Sequence, residues 1–226
     1  MFAAWEAGFW KVLHERFQPD LIVGTSAGAW NGWSIAGGAT PSELIAEWLD
    51  PRTGQLMKWG VHRTGLLRPD ALHAKARDLV ERYRPRVPFG LTLTEVPRLR
   101  PALVRDGEIG WRHMAASASI PLCFPPVEIR GRRYVDGGLL DSLPLWAAEA
   151  MGATRIVALQ VLTTLPFRLL RMVTRPPRPD RRIEVLRFEP SKPLGSLRAA
   201  AVWSAANVRR WIEMGESDAL RAWPVL

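Results

Sequence analysis

Apolar residues recur at helical spacing from the start of the chain. Phe2, Trp5, Phe9, Val12, Leu13 and Phe17 trace one face, and Glu6, Lys11, Glu15 and Arg16 lie largely off it. The spacing predicts a helix over residues 2–17, broken by Pro19 and Asp20. Residues 21–23 read as a short buried strand, and a second helix runs from Ser26 to about Ile35, where Gly37 and Gly38 end it. Pro41, Ser42 and Glu43 open a third helix whose apolar positions are Leu44, Ile45, Trp48 and Leu49. Residues 50–65, carrying Trp59, His62 and Arg63, read as a loop. A helix over 67–83, with Pro69 near its start, ends at Pro85 to Pro88.

Alternation returns at 89–95 and predicts a strand. Residues 102–105 are expected to pair with another strand across Asp106 and Gly107. Residues 111–119 read as a short helix, 121–126 as a proline-rich turn that cannot be helix, and 127–129 with 133–135 as a hairpin around Gly131. A helix over 143–151 is capped by Gly152. Strands are expected over 155–162 and 183–188, and 194–220 is largely helical. Helices alternating with short apolar strands predict an α/β fold with a mainly parallel sheet. No internal repeat and no domain boundary interrupts the pattern, so residues 1–226 read as a single domain.

The chemistry gathers at Leu21-Ile22-Val23-Gly24-Thr25-Ser26-Ala27-Gly28-Ala29-Trp30. Ser26 is centred in a Gly-x-Ser-x-Gly turn between a strand and a helix, a corner that lifts a hydroxyl out of a sheet. Gly24 and Gly28 flank the corner, where a Cβ is expected to collide with the neighbouring strand or helix. Ala27 and Ala29 keep the helix entry thin. The N–H groups of that entry point at any oxyanion forming beside Ser26.

Composition adds bounds. The 226 residues allow an ample core, with 47% apolar and 23% charged residues, as in a globular protein. Cys123 is the single cysteine, which rules out an internal disulfide and a cysteine-rich zinc site. No run approaches the ~20 apolar residues of a membrane span, and the first helix, with Glu6 and Lys11 inside it, is unlike a signal peptide. A cytoplasmic protein, peripheral on membranes, is the expectation. A net charge of +9 favours polyanionic surfaces, or reflects an arginine-rich proteome. The 11 tryptophans suit a membrane interface, or equally a core or lipid pocket.

A serine nucleophile needs a base. An α/β-hydrolase triad runs serine, acid, histidine along the chain, but the four histidines are His14, His62, His73 and His113, all before the best acid candidate. That acid is Asp136, at a strand end and followed by Gly137 and Gly138, which let the chain turn away and the carboxylate meet another loop closely. A carboxylate at its ordinary pKa of ~3.9 is a weak base, so desolvation by neighbours such as Val135 and Leu139 is required.

The combination of Gly24-Thr25-Ser26-Ala27-Gly28, Ala116-Ser117-Ala118-Ser119-Ile120-Pro121 with Phe124-Pro125-Pro126-Val127, and Asp136-Gly137-Gly138 resembles the patatin-like phospholipase family. Leu143-Pro144-Leu145, Gly152 to Val157 and Gly215 to Ala219 are similar too. The resemblance implies a central sheet with helices on both sides. It also implies a Ser–Asp dyad, with Ser26 as nucleophile and Asp136 as direct base, hydrolysing lipid acyl esters through an acyl-enzyme without metal or organic cofactor. Family members begin with a strand and a glycine-rich loop that supplies oxyanion N–H groups. The helix after that loop matches Phe2 to Leu13, notably Ala7 and Gly8, so the strand and loop precede this sequence or are missing from it. Either the true start lies upstream of Met1, which the intact downstream pattern favours, or half the oxyanion hole is lacking and only the Ala27 N–H remains. The second case describes a non-catalytic lipid-binding relative.

Residues 165–182 interleave Phe167, Leu169, Leu170, Met172 and Val173 with Arg168 and Arg171 before a Pro/Arg-rich tail. The pattern suits docking on an anionic membrane surface, or a solvated loop that caps the core. The basic residues lack interleaved stacking aromatics, which argues against nucleic acid.

Overall fold

Ile22 and Val23 are adjacent in a three-residue strand, so they point to opposite faces of the sheet and meet different helices. The computed structural model describes residues 1–62, 65–162 and 183–222. In chain order its elements are α1 (Ala4–Leu13), β1 (Ile22–Gly24), α2 (Ser26–Ala36), α3 (Pro41–Leu49), β2 (Trp59–His62), β3 (Gly65–Leu67), α4 (Pro69–Arg82), β4 (Phe89–Val96), β5 (Arg100–Arg105), α5 (Trp111–Ser117), β6 (Val127–Ile129), β7 (Arg132–Asp136), α6 (Leu145–Ala150), β8 (Arg155–Leu159), β9 (Glu184–Phe188), α7 (Leu197–Ala201) and α8 (Ala205–Ala222). Ile22 joins Phe89, Leu91 and Leu93 of β4 in a core shared with Trp33 of α2, Leu79 of α4 and Met114 of α5. Val23 packs on the other face with Leu145 and Ala148 of α6 and with Ile156 and Ala158 of β8. The α/β layering with helices on both faces follows from this alternation.

β4 is the centre of the main sheet. β5 pairs antiparallel along Gly90 to Glu95. The opposite edge is shared: β1 takes its first half in parallel, Ile22 beside Phe89 and Gly24 beside Leu91. β7 takes its second half antiparallel, Asp136 beside Leu93 and Arg133 beside Val96. The C-terminal ends of β1 and β7 therefore run toward each other along one edge and stop on either side of Thr92. β8 and β9 form a separate parallel pair. Between β1 and β8 lies a cavity of about 410 Å³, walled by Ile22, Val23 and Thr25 on one side and Thr154, Ile156 and Ala158 on the other, with Glu6 and Trp10 of α1 reaching it.

α1 and α8 are the most closely packed helix pair. A Cβ on Gly8 would overlap the Ile212 carbonyl oxygen, and one on Gly215 would overlap the Trp5 carbonyl oxygen. The two helices thus meet backbone to backbone. Phe2, Trp5, Phe9 and Trp211 fill the rest of the interface, and the Trp5 indole donates to Asp218 at 2.8 Å. Other indoles are also tied inside: Trp30 to the Met114 carbonyl at 2.9 Å, Trp33 to that of Leu79 at 3.1 Å, Trp211 to that of Leu194 at 2.8 Å. For these residues the core reading of tryptophan holds.

Three expectations about local structure change. Residues 50–65 are not a plain loop: Pro51–Met57 winds as 3-10 helix, and β2 opens a hairpin with β3. β5 pairs back on β4 through a turn in which Leu99 takes φ 51°, and Asp106–Glu108 is a 3-10 turn rather than a hairpin tip. The C-terminal helical stretch is two helices, α7 and α8, with Trp203 between them donating to the Trp48 carbonyl at 3.0 Å. The membrane-docking reading of 165–182 lies outside the described residues. Among the described residues, no helix is long and apolar enough to cross a membrane.

Candidate active site

Ser26 opens α2 and has φ 54°, a left-handed conformation that a residue with a Cβ rarely adopts. The strain is held by packing around the corner. At Gly24 a Cβ would stand 2.5 Å from Ala29 Cα and 2.6 Å from the Gly28 carbonyl oxygen, so β1 and α2 approach as closely as backbone allows. Gly28 differs from expectation: a Cβ there would be 3.6 Å from the Glu6 carboxylate oxygens, an ordinary contact. Thr25, extended at φ −134°, precedes the helix, and its Oγ1 is buried with no hydrogen-bond partner. The N–H groups of the first turn, Ala27 among them, have no intrahelical acceptor and carry the positive end of the helix dipole.

Asp136 ends β7 and is 5% exposed. Its backbone N–H donates to the Ser119 carbonyl at 3.0 Å, and its Oδ1 accepts the Gly138 N–H at 2.7 Å. Burial pushes its carboxyl up to about 6, against the opposing hydrogen bonds of the Ser26 hydroxyl and the Gly138 N–H. The Ser26 hydroxyl thus lies within hydrogen-bonding reach of the Asp136 carboxyl, the two strand ends on β4 bringing them to the same corner. Gly137 permits the meeting: a Cβ would stand 2.5 Å from the Thr92 carbonyl oxygen and 2.7 Å from Thr25 Oγ1.

The histidines stand apart. His113 Nδ1 accepts the Gly110 N–H at 3.1 Å at the start of α5. His73 lies against Trp111 with its ring tilted 60° and the centroids 5.4 Å apart. His14 Nδ1 is buried without a partner, and the side chain of His62 lies outside the described residues. Among the described residues, no group of His, Cys, Asp or Glu is arranged to hold a metal ion.

One residue of this region escaped the sequence reading. Glu6 looked like a solvent-facing charge on an amphipathic helix, but α1 is enclosed on more than one side and Glu6 faces the cavity beside Gly28. Asn31 Nδ2 donates to it at 2.9 Å and to the Ala3 carbonyl at 3.0 Å, while Asn31 Oδ1 accepts the Trp48 indole at 2.9 Å. Burial pushes the Glu6 carboxyl up to about 7, opposed by the hydrogen bond from the Asn31 amide. The only sequence signal was an asparagine inside a helix of small residues. A carboxyl raised from 4.5 to about 7 favours the folded state at acid pH and loses that contribution as pH rises through about 7. Glu6→Gln is expected to stabilise the protein by about 1–3 kcal/mol in urea unfolding near pH 8. The difference should vanish in unfolding below about pH 4.5.

A strained serine on a strand-to-helix corner, within reach of a buried aspartate, can be compared with known proteins. The family model for patatin-like phospholipase matches residues 1–149. A lysophospholipase of Aspergillus terreus is 27% identical over 166 residues, 69% of this chain and 11% of that protein. One from Candida glabrata is 39% identical over 51 residues, 23% of this chain and 3% of that protein. The chain therefore spans about a tenth or less of the length of these relatives. The crystal structure of VipD from Legionella pneumophila superposes with a TM-score of 0.55 at 11% identity, covering 99% of this chain and 65% of that one. That likeness bears on the fold. With the family model running from α1 past the Asp136-Gly137-Gly138 turn, the chain belongs to the patatin-like phospholipase family.

Proposed function

We propose that the protein is a serine lipid acyl hydrolase in which Ser26 is the nucleophile and Asp136 the direct base. The observation that carries this reading is the meeting, beside Thr92, of a serine on a strained helix entry with a buried carboxyl at the end of β7, whose pKa burial raises to about 6. A base of that strength is ionised at neutral pH yet strong enough to take a proton. Ser26 Oγ attacks the ester carbonyl as its proton passes to Asp136. The oxyanion of the tetrahedral intermediate is stabilised by the first N–H groups of α2, Ala27 foremost. Collapse expels the alcohol, which receives the proton from Asp136, and leaves an acyl group on Ser26. Water, deprotonated by Asp136, then attacks the acyl carbonyl; the bond to Ser26 Oγ breaks, that oxygen takes the proton back from Asp136, and the fatty acid leaves. The relatives named lysophospholipase favour a single-chain phospholipid as the ester, which suits a protein acting at lipid surfaces.

Reaction with a fluorophosphonate probe, followed by peptide mass mapping, tests this. An adduct on the peptide bearing Ser26, together with fatty acid release from lysophosphatidylcholine, is the expected result. No adduct and no release would overturn it. The open cavity between β1 and β8, beside the Ser26 corner, favours a second reading, lipid binding without turnover. Protection of the cavity by a bound fatty acid, with no probe adduct, would select that reading.

A further inference from the structure

Leu122 is 82% exposed and takes φ 69°, a left-handed conformation. Folding gains little from its side chain and bears the strain of its Cβ, so a loop that only had to turn here would favour glycine. It does not stand alone. The Leu66 N–H donates to the Leu122 carbonyl at 3.2 Å and that of Leu67 to Cys123 at 2.9 Å, while the Cys123 and Phe124 N–H groups return to Ile120 at 3.1 and 2.9 Å. Leu66 (49% exposed), Ile120 (41%) and Leu122 therefore form one aliphatic ridge from two chain segments. Exposed Lys58 flanks it, next to Arg68, whose N–H donates to the Lys58 carbonyl at 3.1 Å and whose exposed guanidinium pairs with the exposed Asp70 carboxylate at 3.0 Å, leaving Lys58 as the main cation at this edge.

The ridge is rooted in the candidate site. Beneath it Leu67, Leu72 and Phe124 pack with Trp30, one turn along α2 from Ser26. Ile120 directly follows Ser119, the residue whose carbonyl holds the Asp136 N–H. Both halves of the Ser26–Asp136 corner are thus tied to the base of the same protruding loop.

We propose that this ridge, with Lys58 and Arg68 at its side, is the surface by which the protein seats on a lipid interface. The proposal rests on the lipid-ester reading and names where that substrate is met. Three aliphatic tips on a convex loop supply far less than the ~800 Å² per partner of a stable protein interface. Inserted among acyl chains they need no shape complement, and cations at the rim match anionic headgroups. The net charge of +9 draws the whole protein the same way.

The test is flotation with phosphatidylcholine vesicles, with and without phosphatidylglycerol. Ser26→Ala is the parent chain, so that no lipid is consumed. Leu122→Ser is expected to weaken partitioning about tenfold and the Leu66→Ser/Leu122→Ser pair about a hundredfold. Lys58→Gln/Arg68→Gln should weaken binding only where phosphatidylglycerol is present. Placed in the wild-type chain, the leucine variants should hydrolyse a soluble short-chain ester unchanged, with unaltered melting temperature. Equal vesicle binding by parent and leucine variants would overturn the proposal, and so would a parent that fails to float. A concentration-dependent dimer abolished by Leu122→Ser would assign the ridge to a second copy and overturn it too. Soluble-ester turnover is read separately, so a silent enzyme that still floats through its ridge removes the hydrolase reading and leaves the docking surface standing.

Discussion

Ser26→Ala, Asp136→Asn and the double variant are each expected to lower kcat/KM for a soluble ester to a common floor, about 10⁴-fold or more below wild type. Groups that act as a unit are non-additive, because removing either ends the same proton transfer. The Asp136→Asn side chain would keep an oxygen for the Gly138 N–H, so the turn survives, but its amide presents no basic lone pair to Ser26. The pH profile separates a base from a merely structural carboxyl. With the folded carboxyl near 6, kcat/KM should climb tenfold per pH unit below about 6 and level off above it. Stability runs the other way. The folded pKa lies above the ordinary 3.8, so burial of Asp136 favours folding fully only below about 4, and that contribution is lost as pH rises through about 6. Asp136→Asn should therefore be inactive yet more stable than wild type at neutral pH, by about 1–3 kcal/mol in urea unfolding. Additive losses from the two single variants, or an Asp136→Asn enzyme with near-normal rate, would sink the dyad.

Gly215→Ala and Gly8→Ala are expected to destabilise the protein by about 3 kcal/mol or more, at the upper end of overpacking effects. The new methyl would overlap a main-chain carbonyl of the facing helix in each case, Trp5 for Gly215 and Ile212 for Gly8. A flexible side chain can swing aside, whereas a carbonyl in a helix ladder moves only with its helix. Separating α1 from α8 would open contacts among Phe2, Trp5, Phe9 and Trp211 and stretch the bond from Trp5 to Asp218. Gly107→Ala is the control, since a Cβ there meets nothing within 4 Å. Urea midpoints compare the three, and a Gly215→Ala protein as stable as Gly107→Ala would show that the helix contact is looser than described.

Much of the fold was legible because its signals are local. Thr40 and Glu43 form a capping box at the start of α3, with Pro41 in its first turn, and that arrangement lies within four residues. The alternation of Phe89, Leu91 and Leu93 marks β4 because these residues face the core shared with α2, α4 and α5, where every second position is apolar. Residues 59–67 were not legible. β3 is held on its outer side by the backbone of Leu122 and Cys123, to which Leu66 and Leu67 bond, and nothing within the segment encodes that partner. The break between α7 and α8 is likewise made by remote contacts, Trp203 seated between Gly54 and the Trp48 carbonyl.

The candidate site divides in the same manner. Short-range pattern by itself determined that Ser26 stands on a strand-to-helix corner and that Asp136 ends a strand with two glycines behind it, because turns and strand ends are written in neighbouring residues. Only the tertiary structure decided that these two meet. β1 runs parallel and β7 antiparallel along one edge of β4, and that register is a property of the sheet, not of either strand. The raised carboxyls of Asp136 and Glu6 and the protruding Leu122 also belong to the fold. Desolvation and exposure depend on what the rest of the chain packs around a side chain, which its sequence neighbours alone do not specify.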